Sequence, residues 1–194
     1  MLRPAREANH PRRGFVTLLA MGLAASSLLA YGSSAGAADW PSFLNGNQRI
    51  GATTDNLKLP LKKAWEYAPP STINRAWSGP TGRTIEGKVL RDRIRFDDAF
   101  QVASVGEQVF FGSSVDHQVY CKNVKTGKTE WAFYTGGPVR LAPTVFKGKV
   151  FFGSDDGFVY CVAADSGKLV WKLRGGPADE WLIARGEMIS RWPC

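Results

Sequence analysis

The chain has 194 residues, a formal net charge of +8 and two histidines, His10 and His117. That length suits one ordinary domain with a real core, and so little histidine excludes a His-rich zinc site. Charges of both signs alternate along the chain, which reads as a solvated surface and not as a nucleic-acid footprint.

Residues 1–38 read as a secretory signal peptide. "MLRPAREANHPRRG" carries four arginines against one glutamate, "FVTLLAMGLAASSLLAYG" carries no charge, and small residues follow in "SSAGAA". A basic n-region, an apolar h-region and a small-residue exit mark such a leader. Cleavage fits after Ala37 or after Ala38. The uncharged run from Gly14 to Ala38 is also long enough for an uncleaved anchor, although its dilution by Gly, Ala and Ser favours cleavage. "RRGFV" matches the core of a twin-arginine export signal. No cysteine closes the apolar segment to carry a lipid. Loss of the leader lowers the net charge from +8 to +5 and leaves His117 as the one histidine.

Residues 39–194 form the body. "LKKAWEY" ends in a strand-like run around Trp65, and a Pro-, Gly- and charge-rich stretch at about 66–97 follows. That stretch is irregular: Trp65 to Val109 takes 44 residues, whereas Trp131 to Val150 takes 19. A long loop on a rigid scaffold can hold binding residues, with Trp77 as a contact; a solvated excursion reads equally well. Arg91, Arg93 and Arg95 alternate as on one face of a strand. They suit an anion site or, more simply, an edge guarded by charge.

Next come two copies of one unit, "VFFGSSVDHQVYCKNVKTGKTEW" (109–131) and "VFFGSDDGFVYCVAADSGKLVW" (150–171). Phe110 to Phe151 is 41 residues, whereas Tyr120 to Tyr160 and Trp131 to Trp171 are both 40. The extra residue falls in a turn, where "SSVDHQ" stands opposite "SDDGF". Lys147-Gly148, Asp155-Asp156-Gly157 and Ser166-Gly167 mark turns between β-rich runs. Each unit thus reads as a four-stranded antiparallel sheet, and a period near 40 points to propeller blades. The last stretch, "GGPADEWLIARGEMISRWPC", stretches the spacing: Pro143 to Pro193 is 50 residues. "ISRWPC" reads there as the counterpart of "VRLAPT".

"VKTGKTEW" and "ADSGKLVW" resemble the tryptophan-docking motif of quinoprotein-type β-propellers, approximately A-x-D-x-x-T-G-x-x-x-W. That family includes PQQ-dependent dehydrogenases and BamB-type assembly proteins. Asp165, Gly167 and Trp171 are matched to the motif, with Ser166 in the threonine position. Thr126, Gly127 and Trp131 match in the earlier copy, which departs at Asn123 and Val124. "DWPSFLNGNQRIG" resembles the family's opening, with Leu44 where arginine is usual, and Trp65 resembles the docking tryptophan of another blade. The resemblance implies an all-β, partial β-propeller of three to four blade units. It gives Trp65, Trp131 and Trp171 a structural role, each indole filling the wedge between neighbouring sheets. Such propellers close with more blades than these residues supply, so the chain reads as an N-terminal fragment whose missing partners are its own C-terminal blades.

Cys121 and Cys161 hold equivalent places in successive sheets, too far apart for a disulfide, and read as small buried residues. Family dehydrogenases stack PQQ on an adjacent cysteine pair and hold calcium with acidic and amide side chains. No such pair exists here, and Asp155, Asp156 and Gly157 are ordinary turn content. No cofactor, metal or catalytic residue is therefore expected within this stretch. The favoured function is an exported, non-catalytic binding or scaffold propeller that meets other envelope proteins and at most touches the membrane peripherally. The alternative is the N-terminal part of a PQQ-dependent dehydrogenase or another cofactor-dependent oxidoreductase. A polysaccharide-binding or sensor module rests on Trp77 alone.

Overall fold

A computed structural model describes residues 38–73, 84–85, 88–89, 99–184 and 186–194. The leader up to residue 37, Trp77, Arg91, Arg93 and Arg95 lie outside the described residues. All regular structure among the described residues is β. A small hairpin, β1 (Thr84–Ile85) and β2 (Lys88–Val89), lies within the irregular stretch. The first full sheet is antiparallel in chain order: β3 (Val102–Val105), β4 (Gln108–Ser113), β5 (Gln118–Asn123) and β6 (Thr129–Tyr134). The second repeats it with β7 (Thr144–Phe146), β8 (Lys149–Gly153), β9 (Phe158–Ala163) and β10 (Leu169–Arg174). A last hairpin pairs β11 (Trp181–Ala184) with β12 (Glu187–Ser190).

The turns fall where the residues demand them. Lys147 and Gly148 both take positive φ, the conformation of a two-residue hairpin that follows the twist of its strands. His117 adopts the left-handed backbone that Gly157 adopts in the second sheet, so the one-residue difference between copies is absorbed in this turn. Both sheets also shift register where their last strand begins, opposite Lys122 in one and Val162 in the other. A bulge at the same place in both copies turns the following strand alike.

The core lies between the two sheets. Phe110, Val119, Cys121 and Trp131 of the first meet Val145, Val150, Phe152, Tyr160 and Val162 of the second. Each sheet has two apolar faces and cannot bury both alone. The second covers one face of the first, and the segment through Trp65 and Tyr67 covers the other: Tyr67 packs on Phe100, Phe111 and Tyr120. The chain opening clamps the inner strands, since Trp40 exchanges two backbone hydrogen bonds with Ser104 and Pro41 accepts one from Val145.

Two complete four-stranded blades stand among the described residues, in keeping with a partial β-propeller. Trp65 and Tyr67, beside the stretch read as irregular, pack on the first blade. The counterpart of Pro193-Cys194 is Pro138-Val139, not Pro143. Val139 N–H donates to the Ser113 carbonyl at 3.4 Å, and Cys194 N–H to the Ser154 carbonyl at 3.1 Å. Gly112 and Gly153 receive these two residues so closely that neither tolerates a Cβ. The β11–β12 hairpin is thus an insertion between Gly176 and Pro193, a place where the preceding connection runs directly from Gly137 to Pro138.

Candidate functional site

Two ends of the sheets differ in character. At one end lie the turns that receive tryptophans. Trp131 begins near the start of β6, and its indole N–H donates to the Ala164 carbonyl at 2.8 Å in the turn after β9. A Cβ on Gly167 would come within 2.7 Å of the Trp131 ring. Trp65 repeats this one blade earlier: its N–H donates to the Val124 carbonyl at 2.7 Å, and a Cβ on Gly127 would again meet the ring at 2.7 Å. In both turns the glycine has positive φ and stands three residues after the accepting carbonyl. Glycine is needed there twice over, for its backbone and for its missing side chain.

Trp171 does not share this environment. It rests on Phe151 from its own sheet and is 42% exposed, whereas Trp131 is 9% exposed. No further turn stands against it among the described residues. Asp165 is also placed differently from its expected role, exposed on the turn rather than fixing it. The motif's acidic position, four residues before glycine, is held by Asn123. Its side-chain oxygen accepts from the Lys125 and Thr126 N–H groups at 3.1 Å each and so ties the turn. Ala163 fills that position in the second copy. Aligning on the glycine, not on the nearest carboxylate, finds Asn123 from the sequence.

At the opposite end, each sheet buries a carboxylate under its second turn. Asp156 accepts from Gly136 N–H at 2.8 Å, Tyr160 hydroxyl at 2.6 Å and Phe158 N–H at 3.0 Å. Burial first, then this hydrogen bond, holds the Tyr160 phenol well above its ordinary range. Asp116 is the counterpart and accepts from the Tyr120 hydroxyl and the Gln118 amide. Its other oxygen is buried without a partner. It corresponds to the Asp156 oxygen that Phe158 N–H serves, whereas Gly136 N–H and the Tyr160 hydroxyl share the other one. Between the two turns Arg140 Nε meets Asp155 at 2.6 Å, with both side chains nearly buried. His117, read as structural, pairs with Glu187 of the inserted hairpin at 3.4 Å.

Elsewhere a cleft of about 720 Å³ lies at the tryptophan-receiving end, walled by Val105, Phe110, Val145 and Val170. Asp39, Asp165, Lys147 and Lys149 also line it, two charges of each sign. The cysteines are all free. Burial first, then the nearby Glu130 charge, pushes the Cys121 thiol up to about 12, while the Gln108 amide holds Glu130 below its ordinary value.

The family model described as outer membrane protein assembly factor BamB matches residues 70–190, more than half of the chain. The chain therefore belongs to this family of PQQ-type β-propeller repeat proteins. It is 36% identical over 89 residues to quinohemoprotein alcohol dehydrogenase ADH IIB of Pseudomonas putida, covering 40% of this chain and 13% of that one. Among solved structures it is similar to quinohemoprotein alcohol dehydrogenase of Comamonas testosteroni (TM-score 0.49, 19% identity, 71% of this chain and 19% of that one). It is also similar to BamB of Moraxella catarrhalis (TM-score 0.34, 20% identity, 38% and 22%). The chain thus spans only a small part of the length of these relatives.

The family includes quinone-dependent enzymes, so the fit of such a group can be tested on the residues. Among the described residues no three His, Cys, Asp or Glu side chains converge as metal ligands. Cys121, Cys161 and Cys194 sit on separate segments, and Asp155 and Asp156 already hold protein groups. These residues do not fit PQQ with calcium.

Proposed function

We propose that this chain is the exported blade region of a PQQ-like propeller that works as a binding or scaffold protein and carries no chemistry of its own. The observation behind this reading is the employment of the buried polar groups. Asp156 ties one blade connection to its turn, and Arg140 and Asp155 neutralise each other next to it. Groups bound this way hold backbone in place and leave no activated nucleophile or base. In this reading Trp65, Trp131, Gly127 and Gly167 hold blades together, and Trp171 is poised to hold another. The partners are other envelope proteins, in line with the description of the matched family as an assembly factor.

The direct test is cross-linking in the cell envelope with a tagged full-length gene product. Stoichiometric recovery of an envelope protein, absent from a tag-only control, is the expected result. Recovery at background level counts against the reading. Mass analysis of the exported product should place its start at Ala38 or Asp39 if the leader is cleaved.

The second reading, the N-terminal part of a quinone-dependent alcohol dehydrogenase, is favoured by the 36% identity to the Pseudomonas enzyme. Titration with PQQ and calcium separates the two. A saturable absorbance change supports the enzyme reading, and none is expected for the scaffold.

A further inference from the structure

The inserted hairpin shows an unguarded edge. β12 faces the body: Ser190 N–H donates to the Asp155 carbonyl at 2.7 Å, and Glu187 reaches His117. β11 is the outer strand, and no described residue pairs with its far edge. Arg191 N–H donates to the Glu180 carbonyl at 2.9 Å. In an antiparallel pair, inward bonding alternates along the strand. Leu182 therefore bonds inward to Ile189, while the N–H and C=O of Trp181 and Ile183 point outward.

Native sheets protect such edges with charge, proline or bulges, and Trp181-Leu182-Ile183-Ala184 has none of these. Ile183 is 80% exposed and its cross-strand neighbour Met188 is 62% exposed. The flanking acids do not repel a second copy. Asp179 is paired with Arg174 at 3.1 Å and Glu180 with Arg191 at 2.8 Å.

We propose that two copies of this chain associate by antiparallel pairing of β11 with β11. A two-fold axis through Leu182 sets Trp181 of one copy opposite Ile183 of the other. All four outward groups of each strand are then used in four hydrogen bonds. The pairing is self-complementary, as a two-fold interface requires. It also joins Trp181, Ile183 and Met188 of both copies into one apolar face. A four-residue strand covers far less than the roughly 1,200–2,000 Å² of stable complexes, so the dimer is concentration-dependent. The two-fold arrangement uses β11 of both copies and so closes at a pair.

Sedimentation equilibrium of the purified protein over a wide loading range, paired with edge variants, tests this. Ile183→Pro removes an outward N–H that the hairpin itself does not use, and Ile183→Lys adds the missing guard charge. Each should weaken dimerisation at least tenfold without lowering the melting temperature. Leu182→Cys in a Cys194→Ser background should cross-link to a covalent dimer on mild oxidation, since residues facing each other across the axis lie within disulfide reach. Met188→Cys in the same background should not. A protein that stays monomeric throughout overturns the proposal, including the case in which the edge serves a strand of another protein. So does a dimer untouched by both Ile183 variants, or one abolished by Leu173→Lys on β10 instead. The scaffold reading stands or falls separately, on the envelope cross-link.

Discussion

The seam at Trp131 and the open face at Trp171 carry the same motif on the same strand of successive blades, yet they differ in almost every physical respect. Trp131 is enclosed because the neighbouring blade brings a carbonyl to its N–H and a glycine beneath its ring. Phe133, two residues on, packs edge-to-face on Phe152 and Tyr160 of that neighbour. Trp171 and Leu173 hold the equivalent positions and face solvent. A docking tryptophan is therefore buried by the next sheet and not by its own. The sequence motif supplies half of an interaction whose other half lies about forty residues further on.

This difference can be broken at several points. The largest effect is expected from Trp131→Ala, which empties the seam and leaves the Ala164 carbonyl without its donor. It should cost about 3–5 kcal/mol by denaturant unfolding. Trp171→Ala removes the same atoms from an open face and should cost less than about 1 kcal/mol. Equal losses at both sites would refute the role given to the neighbouring blade. Gly167→Ala comes next, combining positive φ with a clash against the Trp131 ring, and should cost about 1–3 kcal/mol. Gly148 also has positive φ but has open space around it, so Gly148→Ala should show only the backbone cost of about 1 kcal/mol.

The buried phenols sharpen the comparison through pH. Tyr120 and Tyr160 are both held above their ordinary value, chiefly by burial and then by their aspartate partners. An unfolded tyrosine ionises near 10, so above that pH the unfolded chain loses protons that the native one keeps. Stability contributed by these groups is complete below about pH 10 and declines as pH rises further. Tyr160→Phe should flatten that decline in alkaline melting curves. A slope identical to the parent protein would mean that the phenol is not protected.

Much of this fold was legible because its signals are local. Strand–turn alternation, Lys147-Gly148 and the forty-residue spacing act over a few neighbouring residues and survive in any alignment of the two copies. What stayed hidden depends on partners distant in sequence. The exposure of Trp171 reflects that no turn faces it among the described residues, which the motif itself does not encode. The capping role of Asn123 was masked because Asp165, two residues off position, is the more conspicuous acid. The match of Pro193 to Pro143 failed because an inserted hairpin lengthens that connection, and insertions defeat spacing arguments. The candidate loop residues Trp77, Arg91, Arg93 and Arg95 remain a reading of sequence.

The smallest expected effect concerns equivalent cysteines. Cys121 and Cys161 are both fully buried at matching register positions. Their electrostatic surroundings differ in sign: Glu130 adds to burial at Cys121, whereas Lys149 opposes it at Cys161. Thiols react as thiolates, and a thiol pushed up to about 12 has almost no thiolate at pH 8. Alkylation of the native protein should label Cys194 first, Cys161 more slowly and Cys121 last. Raising the pH from 8 toward 10 should speed both, with Cys121 remaining the slower. Glu130→Gln should narrow the gap between them, because it removes the negative charge while burial remains. If Cys121 instead reacts as fast as Cys161 in the parent protein, the closed seam does not shield its first blade, and the contrast between the two faces loses its chemical consequence.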